Sequence, residues 1–385
     1  MDYNYFGGVA LLPTASIRWL NTGAAAFDAM VQAIRSAHRF VRLETYIYRD
    51  DAVGQRIRSA LIEAANEGVC VQVLVDAWGS EALADSFWAP LRRVGGECRW
   101  FNPLQLDRIA IRNHRKLLVC DDTVAIIGGF NVAAEYDGDG VRKGWRDLGI
   151  SISGPKVGEL CRSFDQMFQL ADFRHGRFAE FRRSKLEVPP EEISGDVLLN
   201  TPGRGQHPIK AAIYKGLAQA KKVQMVSAYF LPTWRIRRSL QRIARNGGQV
   251  QLILAGKTDV PLSQAATRSL YHGLMRAGVE VYEYQPQILH AKLYLMDDTV
   301  MVGSSNLDKR SLGINYELMV RSDDPQVVRG GRNYFEQCLA HSKRVNLETW
   351  LKSRSIWMRL WEKAAYMFLV HLDPYIARQQ LKMLR

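Results

Sequence analysis

Two stretches of this chain share one pattern: residues 114–121 read HRKLLVCD and residues 290–297 read HAKLYLMD, a His-x-Lys-x4-Asp motif recurring 176 residues apart. Both continue with a second Asp, a Thr-Val pair, glycine and asparagine. The flanks repeat as well. FVRLETYIY (40–48) and KVQMVSAYF (222–230) are apolar, β-branched runs ending in aromatics, and read as strands. GQRIRSALIEAANEG (54–68) and WRIRRSLQRIARNGG (234–248) have helical apolar spacing and close on glycine. VCVQVLVDA (69–77) and QVQLILAG (249–256) read as buried strands. The chain is therefore a duplication, and its alternation of strand and helix predicts two α/β lobes with mixed, largely parallel sheets. The lobes are expected over 1–185 and 209–345, joined by a connection at 186–208 rich in charge, proline and glycine, with 346–385 as a tail.

At 385 residues and 47% hydrophobic content the chain can fill two cores. Its 52 Lys and Arg against 39 Asp and Glu give a net charge of +13, which suits an anionic partner, either nucleic acid or an acidic membrane surface. The five cysteines, at 70, 98, 120, 161 and 338, are odd in number and scattered through apolar runs, so they read as reduced core thiols in a reducing compartment. The N-terminus lacks the basic region of a secretory signal. No stretch reaches the roughly 18 to 20 apolar residues of a spanning helix.

A His and a Lys two residues apart on a strand share a face, and one such pair is commonly just a polar position. Two copies at equivalent places in two repeats point to chemistry. Metal binding fits poorly, because Lys116 and Lys292 would hold ammonium groups beside the ion, and no HExxH or CxxC cluster is present. A serine hydrolase lacks its GxSxG elbow. Attack on a phosphorus centre fits: lysine supplies positive charge for phosphoryl oxygens, and asparagine, serine or backbone amides supply further donors. One imidazole attacks phosphorus while the other protonates the departing alkoxide, which is why two are needed.

HRKLLVCDDTVAIIGGFN and HAKLYLMDDTVMVGSSN resemble the paired HxKxxxxD motifs of the phospholipase D superfamily, over roughly residues 15 to 345. GGFNVAAEY, WRDLGISISGP and GSSNLDKRSLGINYEL look most like its bacterial cardiolipin synthase branch. The resemblance implies that His114, Lys116 and Asn131 meet His290, Lys292, Ser304 and Asn306 at the lobe interface, with His114 as nucleophile and His290 as acid. It also implies a carboxylate further along the chain orienting each histidine. Asp147, 33 residues after His114, and Glu317, 27 after His290, are the candidates. Asp121 and Asp297 are expected to be structural, since four residues of strand put them roughly 13 Å from the histidines. Gly128-Gly129 stands where the second copy has Gly303-Ser304, with one extra residue before the glycine, so the half-sites should not be equivalent.

Phospholipid and nucleic acid share this chemistry. WMRLWEKAAYMFLVHLDPYIARQQLKMLR (357–385) spaces Trp357, Leu360, Trp361, Ala364, Phe368 and Leu372 helically among Arg359, Lys363, Arg378, Lys382 and Arg385. That suits either a helix lying in an anionic membrane interface or one packed on the second lobe. Aromatics at 46, 48, 88, 100, 229 and 234 can line a channel or fill the core. No nucleic-acid-binding pattern is present, which argues against that partner. The expected activity is cardiolipin synthase-like transfer of a phosphatidyl group to the hydroxyl of phosphatidylglycerol, with no metal or cofactor. Phosphatidylglycerol and cardiolipin are then the lipid partners and the cytoplasmic membrane face the place, and no oligomer is required. Phospholipase D hydrolysis, or nuclease and phosphodiesterase activity of the same superfamily, is the alternative.

Overall fold

A computed structural model describes residues 16–102, 111–171, 196–202 and 207–372. In the first lobe the strands are β1 (Ser16–Leu20), β2 (Phe40–Thr45), β3 (Cys70–Asp76), β4 (Glu97–Phe101), β5 (Leu117–Cys120), β6 (Val124–Gly128) and β7 (Gly149–Ser153). In the second they are β8 (Val197–Asn200), β9 (Lys222–Ser227), β10 (Gln249–Ala255), β11 (Glu280–Tyr284), β12 (Lys292–Met296), β13 (Thr299–Gly303), β14 (Glu317–Ser322) and β15 (Ser342–Arg344). The first sheet has the order β1-β7-β6-β5-β2-β3-β4, and the second repeats it as β8-β14-β13-β12-β9-β10-β11, with β15 added at the edge. The duplication is complete at the level of topology.

The α/β class and the mixed sheets are as expected, but the sheets are not largely parallel. Among the strands of the described residues, β2–β3, β3–β4, β9–β10 and β10–β11 pair in parallel, through crossover helices, and the remaining strand pairs are antiparallel. The cause is local. After β4 and β11 the chain returns through the motif strands β5 and β12, each closed by a short hairpin to β6 and β13, and such turns can only make antiparallel neighbours. A second difference lies in the expected connection. Residues 186–195 and 203–206 fall outside the described residues, but Val197–Asn200 between them form β8, paired with β14 as β1 pairs with β7. The second repeat thus begins inside the stretch expected to be linker.

Each sheet packs on helices. Asp51 accepts from Val53 and Gly54 to cap Ala52–Asn66, and Gly68 ends that helix in the left-handed region with φ 86°. The helices Lys156–Leu170 and Pro325–Ala340 lie on the inner faces of the sheets, and one apolar core joins Ile127 and Ile150 of the first lobe to Leu293, Val302 and Phe335 of the second. A shared core of this size makes the lobes one body, so residues from either can be held in fixed register across the interface.

The tail begins with Leu347–Lys352 and continues in Ile356–Met367, which packs on Pro261–Arg268. Ala365 and Val370 are buried in that contact, and Arg354 pairs with Glu362 at 3.0 Å. Trp357, Leu360, Trp361, Ala364 and Phe368 are on the opposite side and exposed. The apolar stripe is therefore not the packing face. Arg378, Lys382 and Arg385 lie outside the described residues. Of the cysteines, 98, 120, 161 and 338 are buried, Cys70 is exposed, and none is bonded to another.

Candidate active site

The motif aspartates act at the hairpin turns. Asp121 and Asp297 both have φ 48°, a left-handed value that Asp tolerates. Asp121 accepts backbone N–H bonds from His38, Arg39 and Phe40 at 2.8–2.9 Å, and Asp297 accepts from Lys221 and Lys222. Each thus ties its hairpin to the start of the neighbouring strand, β2 or β9, as expected of a structural residue. The extra residue of the first copy is Thr123 in the turn: Cys120 pairs with Val124, while Met296 pairs with Thr299.

The two histidines precede β5 and β12, at the interface. Their backbones are sewn across it. His114 donates its N–H to the Tyr316 carbonyl at 3.0 Å, and His290 donates to the Arg146 carbonyl at 2.8 Å. Tyr316 and Arg146 are the residues just before Glu317 and Asp147. The same stitching delivers the carboxylates: His114 Nδ1 lies 3.0 Å from Glu317 Oε1, and His290 Nδ1 lies 2.7 Å from Asp147 Oδ2. The pairing is crossed, each histidine using the carboxylate of the other repeat. A carboxylate on Nδ1 accepts that N–H and leaves Nε2 of a neutral ring free for a proton or a phosphorus atom.

The half-sites differ at the position after the glycine that both repeats share, Gly128 and Gly303. Ser304 donates its hydroxyl to Glu317 and accepts from Leu318 N–H at 3.0 Å. Ser304 therefore braces the carboxylate; the hydroxyl is not directed at a phosphoryl oxygen, as its grouping with the phosphate donors had implied. Gly129 stands at the matching place, where a Cβ would come 2.1 Å from Asp147 Oδ1. Glycine lets Asp147 take its position. Asn131 is occupied too: its Oδ1 accepts from Ile47 N–H and its Nδ2 donates to the Tyr136 hydroxyl at 2.6 Å. Asn306 is buried, with an Oδ1 that meets no donor among the described residues.

Both lysines are buried and fold back on their own histidines. Lys116 Nζ donates to the His114 carbonyl at 2.7 Å; Lys292 Nζ donates to the His290 carbonyl and lies 2.8 and 3.1 Å from its ring nitrogens. Burial pulls the ammonium of Lys116 down to about 7 and that of Lys292 to about 8, against the pull of Glu317 and Asp147. Burial also lowers His114 to about 4, opposed by Glu317 and reinforced by Lys116 and Lys292, and it lowers His290 together with Lys292. Each histidine feels the lysine of the other repeat, so the half-sites form one electrostatic unit. Burial alone would raise Asp147, but His290 and Lys292 outweigh it and hold the carboxyl below its usual range. Two histidines, each tied to a buried carboxylate, and two buried lysines thus make one cradle at the lobe interface.

Aromatic rings flank the histidines unequally. Tyr46 is edge-on to His114 at 5.1 Å, whereas His290 has Tyr136 at 5.2 Å, Trp145 at 5.6 Å and Tyr229 at 6.4 Å. Of the aromatics singled out in the sequence, 46 and 229 are therefore at the site, Tyr48 and Trp88 are core, and Trp234 is exposed. Tyr136 and Trp145 were not anticipated, nor was the support behind His114, where buried Glu44 accepts from Asn113 at 2.6 Å and pairs with Arg115 at 3.1 Å. The second half has Ala291 where the first has Arg115. No group of three His, Cys, Asp or Glu suited to a metal occurs among the described residues.

The family model described as cardiolipin synthase, PLD-like domain, matches residues 30–168 and 213–339. Cardiolipin synthase B of Salmonella typhi is 32% identical over 367 residues, covering 94% of this chain and 89% of that protein. Cardiolipin synthase B of Escherichia coli K12 is 32% identical over 369 residues with the same coverage, and cardiolipin synthase 1 of Bacillus cereus is 29% identical over 371, covering 93% and 72%. Among solved structures, phosphatidylserine synthase of Haemophilus influenzae Rd KW20 superposes with a TM-score of 0.74 over 94% of both chains at 16% identity. Polyphosphate kinase of Porphyromonas gingivalis does so at 0.59 over 94% of this chain and 53% of that one, at 15% identity. These two likenesses concern the fold.

Proposed function

The chain belongs to the cardiolipin synthase, phospholipase D-like family, and on that premise we propose that it transfers a phosphatidyl group to the hydroxyl of phosphatidylglycerol through a covalent histidine intermediate. The observation that carries the reading is the crossed pair of histidine–carboxylate contacts around two buried lysines. His290 takes up a proton as the negative phosphodiester binds beside it; His114 Nε2 then attacks phosphorus, the bond to the departing alcohol breaks, and the His290 imidazolium gives that alkoxide its proton. His290, now neutral, takes the proton of the incoming hydroxyl, which attacks phosphorus and frees His114. The 2.7 Å contact with buried Asp147 suits His290 to carry the imidazolium. The phosphodiester's negative charge raises the proton affinity of Lys116 and Lys292, so substrate brings the cradle to its charged state. Water as acceptor would give hydrolysis by the same route, and the aromatics around His290 oppose its entry.

The lipid substrate calls for a peripheral seat on the membrane, at its cytoplasmic face. Supporting this, the tail helix presents Trp357 (77% exposed), Leu360 (52%) and Trp361 (60%) away from the protein, next to Arg359 and Lys363. No helix among the described residues is long and apolar enough to cross a bilayer. The test is incubation with phosphatidylglycerol vesicles and identification of the products. Cardiolipin is the expected product; phosphatidic acid alone would mark a hydrolase, and cleavage of single-stranded DNA without lipid turnover a nuclease.

A further inference from the structure

The helix Trp234–Arg245 carries five arginines and no acid. Ile236, Leu240 and Ile243 face the core. Two of the arginines have structural work: Arg242 donates to the Leu217 and Ala218 carbonyls at the end of the preceding helix, and Arg235 stacks on Tyr214. Arg237, Arg238 and Arg245 instead line an open groove with Trp234, walled on its far side by Leu270 and Gly273. No carboxylate of the described residues pairs with any of the three. Several other arginines of this lobe are paired with carboxylates, as in Arg268–Glu283, Arg332–Asp298 and Arg344–Glu280.

We infer that this groove is a second anion site, separate from the catalytic cradle, that takes the phosphate of an anionic phospholipid headgroup in the bilayer on which the tail helix sits. The inference rests on the lipid reading given above. Three observations choose a bilayer over another polyanion. The groove ends in Trp234, 61% exposed with Arg238 stacked on it at 4.9 Å, an amphipathic pairing suited to the headgroup level. Arg237 reaches the Tyr366 hydroxyl at 3.4 Å, which joins the groove to the helix bearing Trp357 and Trp361. That helix in turn runs to Val370, whose carbonyl accepts from Lys309 at 2.7 Å, three residues after Asn306. The groove is thus tied through Tyr366 to the tail helix, and the tail helix through Lys309 to the segment just after Asn306. A headgroup held in the groove would fix the depth and tilt of the enzyme so that neighbouring lipids reach the histidines.

The experiment compares the full chain with an Arg237→Gln, Arg238→Gln, Arg245→Gln variant in sedimentation with vesicles of phosphatidylglycerol in phosphatidylcholine and of phosphatidylcholine alone. Each lost arginine should weaken anionic binding several-fold, about 100-fold for three, and flatten its salt dependence. Binding to neutral vesicles and turnover of dispersed short-chain phosphatidylglycerol should stay within about twofold. Unchanged binding to anionic vesicles overturns the inference, as does single-stranded DNA binding equally well with the same arginine dependence. Should the triple variant fold poorly, Arg238→Gln with Arg245→Gln, both exposed, gives the same reading at about 20-fold. If the parent protein binds anionic vesicles through these arginines yet turns over no lipid, the groove stands and the transferase reading falls.

Discussion

At the scale of residues, the site depends on where carboxylates place protons. Ser304→Ala removes the hydroxyl that holds Glu317, leaving a buried carboxylate short of a donor. Turnover should fall about tenfold with KM little changed, since a lost hydrogen bond to a charged group is worth about 1.5–3 kcal/mol. Gly129→Ala should cost more, because its Cβ would collide with Asp147 and disturb the 2.7 Å contact to His290. Steady-state kinetics on both variants checks the order. Proton linkage gives a second test. Lys116 titrates at about 7 in the empty protein against 10.5 for a free side chain. Between those values the unfolded chain binds the extra proton, so this group makes the protein more stable as pH rises from 7 to 10. The melting temperature of the empty protein should gain less over that range in Lys116→Met, and an equal gain would mean that Lys116 is not desolvated. For His114, lowered to about 4 from 6.5, the same reasoning makes stability decline as pH falls through that window.

At the scale of elements, the sequence exposed what repeats locally and concealed what depends on pairing across the repeats. His114, Lys116, His290 and Lys292 could be read because the motif recurs at one place in two copies of a strand pattern. The strands 40–45 and 222–227 and the helices after them fell close to their expected bounds, since a period of 2 or 3.6 is written in neighbouring residues. Which carboxylate serves which histidine is set by register between lobes, through Tyr316 and Arg146 carbonyls, and no spacing along the chain encodes that. Parallel and antiparallel strands share the same alternation, so the sheet directions were not legible either. β8 was hidden because four residues, VLLN, sit among charge, proline and glycine. The tail helix had the expected apolar stripe, but which face met protein depended on Ala365 and Glu362 finding a partner surface. Because Trp357 and Trp361 touch solvent, changing both to Ala should leave the melting temperature within about 1–2 °C. Binding to anionic vesicles should drop at least tenfold, with short-chain lipid turnover retained. Vesicle binding equal to that of the parent would assign those tryptophans elsewhere.

At the scale of the whole molecule, duplication places both half-sites in one chain. Each repeat supplies a histidine and a lysine, and each supplies the carboxylate for the other, so neither lobe holds a working half. The shared core from Ile127 to Phe335 keeps the crossed contacts in place. In the proposed chemistry lysines, not an ion, meet the phosphoryl charge, so turnover should persist in EDTA; loss that added metal restores would contradict it. The most direct measurement is intact-mass and peptide analysis of His290→Ala after exposure to phosphatidyl-p-nitrophenol, whose leaving group departs without an acid. Without the residue that serves the incoming alcohol, a phosphatidyl adduct held by an acid-labile P–N bond should accumulate on His114 and be absent when His114 is also replaced. No adduct on His114, or the same adduct in the double variant, would mean that the two histidines do not share one phosphorus atom in this way.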